Sequence, residues 1–149
     1  MSDPASAVAI IDVMLHRTAQ AILLDDFAAM SACFHLPFVL ETDGLKLIID
    51  SEEKHRALFE RLVEGYKSKN VTDIIRECEA AEFVSPNVIR SLHISHVMAG
   101  SHRVEEPIST LATTELYDDG WRITSAQYLA DSEAAIKKAI LLQSRQDPP

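Results

Sequence analysis

The chain reads as an α+β fold, with helices in its first half and a meander of long antiparallel strands from about Val71 to Leu129. Three observations predict this. Apolar residues recur at helical spacing between Val8 and Leu23, giving one buried stripe. From Val71 onward Val, Ile, Thr and aromatic residues dominate between turn residues, the grammar of strands. Finally, Asp119-Gly120 beside Trp121 is a strong short-range hairpin signal.

Taken in order, Asp3-Pro4 is an N-cap followed by proline at the first helical position, where its missing N–H does no harm. Asp25-Asp26 recaps a short second helix carrying Phe27, Met30 and Phe34, which Pro37 is expected to stop. Phe38 to Glu41 and Leu45 to Ile49 are short strands around a Thr42-Asp43-Gly44 turn. Asp50 with Glu53 three residues on has the pattern of a capping box. Leu58, Phe59, Leu62, Val63 and Tyr66 are the buried stripe of the helix behind it. Four strands follow, roughly 72–84, 88–99, 108–117 and 121–129, and Asp131 and Glu133 open a last helix. The stretch from Gln146 to Pro149 is expected to fray.

The 149 residues fit one domain, 1–149, with its core at about 5–130 and a C-terminal helix at about 131–145. The net charge is -9, from 23 acidic against 14 basic side chains. So acidic a chain repels phosphate backbones, and no basic run offsets it, which argues against nucleic-acid and anionic-membrane partners. No uninterrupted apolar run approaches the roughly 20 residues of a membrane span. The start lacks the charged and apolar regions of a signal peptide. Cys33 and Cys78 alone make neither a disulfide framework nor a zinc motif, so a reducing, cytoplasmic setting is the expectation. No glycine-rich phosphate loop occurs, and no cofactor is expected.

Strand alternation assigns side chains to two faces. Turns at 85–87 and 119–120 place Glu79 opposite His93, His93 opposite Ala112, and Ala112 opposite Gln127. Ser91 then lies beside Thr114 and Ser125, and Ser95 beside Thr110. The other face holds Arg76, Cys78, Leu92, Ile94, Met98, Leu111, Ala126 and Tyr128. Apolar surface on both faces calls for a cover on each, helices on one and a second copy of the chain on the other. A homodimer through Leu92, Ile94, Met98, Leu111 and Tyr128 is the expectation.

The element order, with Phe34-His35-Leu36-Pro37-Phe38, Asp119-Gly120-Trp121-Arg122-Ile123 and Arg90 to Val97, resembles the nuclear transport factor 2-like superfamily. The resemblance covers about Ala5 to Leu129 and implies a cone of helices on a strongly curved, mostly antiparallel mixed sheet of about six strands. It implies one pocket on the concave face, dimerisation through the sheet, and Ile123, Ser125, Gln127 and Leu129 pointing inward. Members include polyketide cyclases, steroid isomerases and dehydratases. The steroid-isomerase donors do not carry over, because Ala112 and a position near Thr18 stand where that chemistry needs an acid and a tyrosine.

Glu79 and His93 are the sharpest candidate catalytic pair. Directly opposed residues have Cβ atoms about 4.5–5.5 Å apart, within reach of a carboxylate–imidazole hydrogen bond that creates a general base. The plain alternative is a pair that only satisfies itself. Ser91, Ser95, Thr114, Ser125 and Gln127 are candidate ligand-binding residues, with Glu41 at the cavity mouth as the second candidate base. His93 and His96, three apart on a strand, point to opposite faces and hold no common metal. Two functions remain open: a small-molecule pocket with cofactor-independent acid–base chemistry of isomerase, cyclase or dehydratase type, or a non-catalytic dimeric binding or assembly module.

Overall fold

The first helix begins where the sequence places it. The Asp3 carboxylate accepts from Ala5 N at 3.1 Å, and Pro4 follows it. The computed structural model describes residues 3–146. It runs α1 (Pro4–Leu23), α2 (Phe27–Ser31), β1 (Phe34–Thr42), β2 (Leu45–Ile49) and α3 (Glu52–Ser68). Then come β3 (Asp73–Ser85), β4 (Val88–Ala99), β5 (His102–Arg103), β6 (Ile108–Tyr117), β7 (Gly120–Leu129) and α4 (Ala135–Gln146). Residues 147–149, where fraying was expected, lie outside the described part.

The strands order as β2-β1-β7-β6-β4-β3, with β5 on β4. β1 and β7 run parallel and every other pair is antiparallel. The four helices pack on this curved, open, mixed sheet. Ala7, Ile11, Leu15 and Ile22 of α1 are buried, and each of the three larger aliphatics contributes about 1.5–3 kcal/mol. Its first half meets Ala81 and Ile89, with Phe83 and Trp121 alongside. The larger core joins the end of α1 to α3, β1 and α4 through Phe27, Phe38, Leu58, Phe59 and Ile140. By length and composition alone α1 is long and apolar enough to cross a membrane, with 44% of its most apolar stretch buried here.

Three boundaries differ from the sequence reading. The second helix ends at Ser31, and Phe34 opens β1 by pairing with Ile123. Pro37 therefore does not stop a helix. It sits in the stretch of β1 where the β1–β7 pairing is interrupted, so its missing N–H costs no ladder bond. Ser51, not Asp50, caps α3 by accepting from Lys54 N at 3.2 Å, while Asp50 pairs with the Lys54 ammonium. Helix α4 starts at Ala135, after an Asp131 side chain that accepts from Glu133 N.

Two of the sheet's register shifts reshape the site. One in β3 falls between Cys78 and Ala80, and one in β7 falls at Thr124, opposite the Thr113–Thr114 step. A bulge adds a residue to one strand, bends it and reverses the facing of everything beyond it.

Candidate functional site

On the inner face, one row of paired residues crosses the sheet: Cys78, His93, Thr110, Tyr128 and Thr42. Arg76 and Ser95 pair in the next row. Between this face and the helices lies a cavity of about 90 Å³. Its walls are apolar, with Leu15, Ile22, Phe34, Phe38, Leu58 and Ile136 among them. Its polar lining is Thr18, His55, Tyr66, Arg76, His93, Ser95, Thr110 and Tyr128, and it includes no Asp or Glu. That volume is far below the roughly 300–1,000 Å³ of drug-sized ligand sites. Steroid- or polyketide-sized molecules do not fit it.

The polar side chains are only partly satisfied. Arg76 Nη1 donates to Thr18 Oγ1 at 2.6 Å, and that hydroxyl donates to Met14 O at 3.0 Å. Arg76 Nε, His93 Nδ1, Thr110 Oγ1, Thr42 Oγ1 and Ser91 Oγ are buried with no hydrogen-bond partner. Arg76 forms no ion pair among the described residues. Each unmade bond costs about 1–3 kcal/mol, so native structures carry few of them. Five of the six such atoms among the described residues lie on the inner face of the sheet; the sixth is Glu105 Oε1, between β5 and β6.

Burial, then the nearby Arg76 guanidinium, lowers the His93 pKa to about 3. Burial alone lowers His55 to about 4; its ring is edge-on to Phe27, Phe34 and Phe38. Both imidazoles are therefore neutral at physiological pH. Burial also raises the phenols of Tyr66 and Tyr128, keeping them as O–H groups. The thiols of Cys33 and Cys78 are pushed up by burial as well, the opposite of nucleophile activation.

The bulges redistribute the expected site. Glu79 is exposed in the β3 bulge, and Cys78 takes the place opposite His93, so the carboxylate–imidazole pair does not form. His93 also faces Thr110, not Ala112, and Ala112 faces Ala126 and Ser91. Ser95 pairs with Ile108 rather than Thr110. Of the expected residues, His93 and Ser95 line the cavity. Ser91 and Thr114 are buried on the same strands outside its lining.

Ser125 and Gln127 turn outward past the β7 bulge, into an open groove of about 660 Å³ on the other face. Glu41 lines that groove too, paired with Lys46 at 3.4 Å. Tyr128, Ala126 and Arg76, expected outside, line the cavity. Tyr128 is therefore removed from the expected dimer face. The outer groove is the larger hollow, yet it is solvent-open and holds an already paired charge. The cavity is the better candidate site.

The sequence reading missed Arg76 and Tyr128, and it treated Tyr66 as a core anchor. Along 121–129 the apolar residues at odd positions (Trp121, Ile123, Leu129) keep an apparently regular alternation, which hides the inward turn of Tyr128. His96 lies on the opposite side of β4 from buried His93. No group of three or more His, Cys, Asp or Glu suited to a metal occurs among the described residues.

Helices packed on a curved mixed sheet define a cone-shaped α+β fold. The chain has the nuclear transport factor 2-like form of it. A domain of unknown function from Nostoc punctiforme, described as cystatin-like, matches with a TM-score of 0.67 at 13% identity, over 99% of this chain and 90% of that one. A presumed dehydratase of the nuclear transport factor 2-like family from Streptomyces avermitilis matches at 0.61 and 12%, over 85% and 96%. LinA matches at 0.59 and 12%, over 85% and 87%. No family model and no curated protein matches the chain. At these identities the likeness establishes the fold alone.

Proposed function

We propose that this protein binds a small molecule in the cavity beneath its helices, with His93 as the base of any proton transfer performed there. The observation that carries the reading is the cluster of unpartnered polar atoms at an apolar cavity: Arg76 Nε, His93 Nδ1 and Thr110 Oγ1. A bound polar molecule would supply the missing bonds. Neutral His93 can take up a proton, and a bound anion beside it would raise the basicity that burial and Arg76 lower. With no carboxylate in the lining, a paired-acid mechanism has no support. Neighbours of this fold include a presumed dehydratase and LinA, which is compatible with an enzyme-like role.

The test is fragment screening by protein-observed NMR on the wild type and on Ala126→Leu, which fills the cavity. Shifts should cluster at Phe38, His93 and Tyr128 and vanish in the filled variant. Shifts at Glu41, Lys46 and Gln127 that survive filling would overturn the reading.

A second copy of the chain on the outer sheet face is the accompanying proposal, within a single-domain, cytoplasmic protein. Leu111 and Leu129 are 41% and 58% exposed there, and Leu92, Ile94 and Met98 are half-buried on the side of β4 opposite His93. Light scattering reads this directly; a concentration-independent 16.5 kDa species rules it out. A dimer whose cavity takes no ligand, with Ala126→Leu more stable, would favour the assembly module.

A further inference from the structure

We infer that the cavity takes a small organic monocarboxylate, its carboxylate on the Nε–Nη2 edge of Arg76 and its short apolar body against Leu15 and Phe38. The inference rests on the cavity being a ligand site and adds the class of ligand.

The argument starts from charge. In a chain of net charge -9, the cavity lining contains one permanent cation and no acid. Asp12, Asp73 and Glu77 line a separate cleft between α1 and β3 that Arg76 also borders, yet none of them forms an ion pair with it. Arg76 is half-buried, but its Nε is buried without a partner at an apolar wall, and an incoming anion would supply the missing bond. Geometry then selects the edge. Thr18 occupies Nη1, which leaves the side-on fork of Nε and Nη2, matched to the two oxygens of a carboxylate.

The surroundings fit one negative charge. Arg76 is the only charged group in the lining, because His55 and His93 are held neutral. A dianion would therefore leave a buried excess charge. The protonated phenols of Tyr66 and Tyr128 are further donors in the same lining. Size narrows the class again. The volume of about 90 Å³ is below the roughly 150 Å³ of an engineered cavity that admits benzene. A three- or four-carbon acid is the matching size.

The experiment compares propionate and butyrate with propionamide and butyramide, which share shape but not charge, and with inorganic phosphate as a bare anion. Calorimetry and NMR titration of the wild type should show the acids binding at least tenfold more tightly than their amides and than phosphate. Arg76→Met should abolish that preference, and Arg76→Lys, which restores charge without the fork, should recover part of it.

Amides binding as tightly as acids would overturn the carboxylate assignment while leaving the ligand cavity standing. Phosphate binding as tightly as butyrate would overturn it too, since charge alone would then suffice. If neither acids nor amides bind, both readings fall. Acid preference surviving in Arg76→Met places the anion elsewhere. Should that variant not fold, the acid–amide difference in the wild type and its reduction in Arg76→Lys decide the matter.

Discussion

Glu105 and Arg76 both carry charge into the interior, and the protein treats them differently. The Glu105 side chain is 0% exposed. Its Oε2 accepts from Lys69 Nζ at 2.7 Å and from Ala135 N, the first residue of α4, at 2.8 Å. One contact supplies a counter-charge, and the other uses the electropositive start of a helix, while Oε1 is left buried without a partner. Arg76 receives one neutral hydroxyl, from Thr18, and nothing else. The first region joins α3, the β5–β6 connection and α4, and the chain provides its own partner. In the second the chain provides none, consistent with a partner that comes from solution.

Acidification should act hardest on the cavity side of this comparison. His55 and His93 sit at about 4 and about 3 in the folded protein, against 6.5 when exposed. Between those values the unfolded chain binds more protons, so stability rises with pH in that window. It is fully present above about pH 6.5 and falls as pH drops toward 4, by about 1.4 kcal/mol per pH unit for each histidine. His93 faces Cys78 and Thr110 across the strands and feels Arg76, while His55 faces three phenylalanines; no carboxylate steadies either cation. Urea melts from pH 7.5 to 4.5 should show this slope, and His93→Gln should remove about half of it. An unchanged slope in that variant would break the account of the cavity.

Glu105→Ala is the next largest expected effect, a loss of about 2 kcal/mol by chemical denaturation, because it removes the counter-charge of Lys69, which keeps only the Glu133 carbonyl, and uncaps α4 together. A loss under about 1 kcal/mol would mean that the self-partnered region matters no more than a surface ion pair. The smallest effect sharpens the comparison from outside. Glu79→Gln should change stability by less than about 0.5 kcal/mol and leave ligand binding untouched, since Glu79 is exposed in a bulge. A tenfold change in binding would return it to the site.

Most of the fold is legible in the residues, and about half of the site is. The helix stripes, the Asp3 cap and the strands at 88–99 and 108–117 follow directly from periodicity and turn chemistry. Parity along β4 is also readable, which is why His93 and Ser95 are correctly placed inside. What fails is parity across the bulges. Ala80-Ala81 offers two equally small residues, so the slip at Glu79 leaves little trace in β3. In β7 the alternation Ile123, Ser125, Gln127, Leu129 looks regular, and only tertiary pairing shows Thr124 to be the extra residue. One slip removes Glu79 and the other exchanges Gln127 for Tyr128, which turns an expected acid–base pair into a cation with neutral donors.

Gly65 lies outside the cavity, yet it helps to set the cavity's extent. A Cβ added there would stand 3.0 Å from the Ala135 Cβ, so the absence of a side chain lets α4 settle closely on α3. The residue after Ala135 is Ile136, which forms part of the cavity wall. Bulk introduced at 65 would push that wall outward, making the spacing of two helices on the outside a control on the room available within.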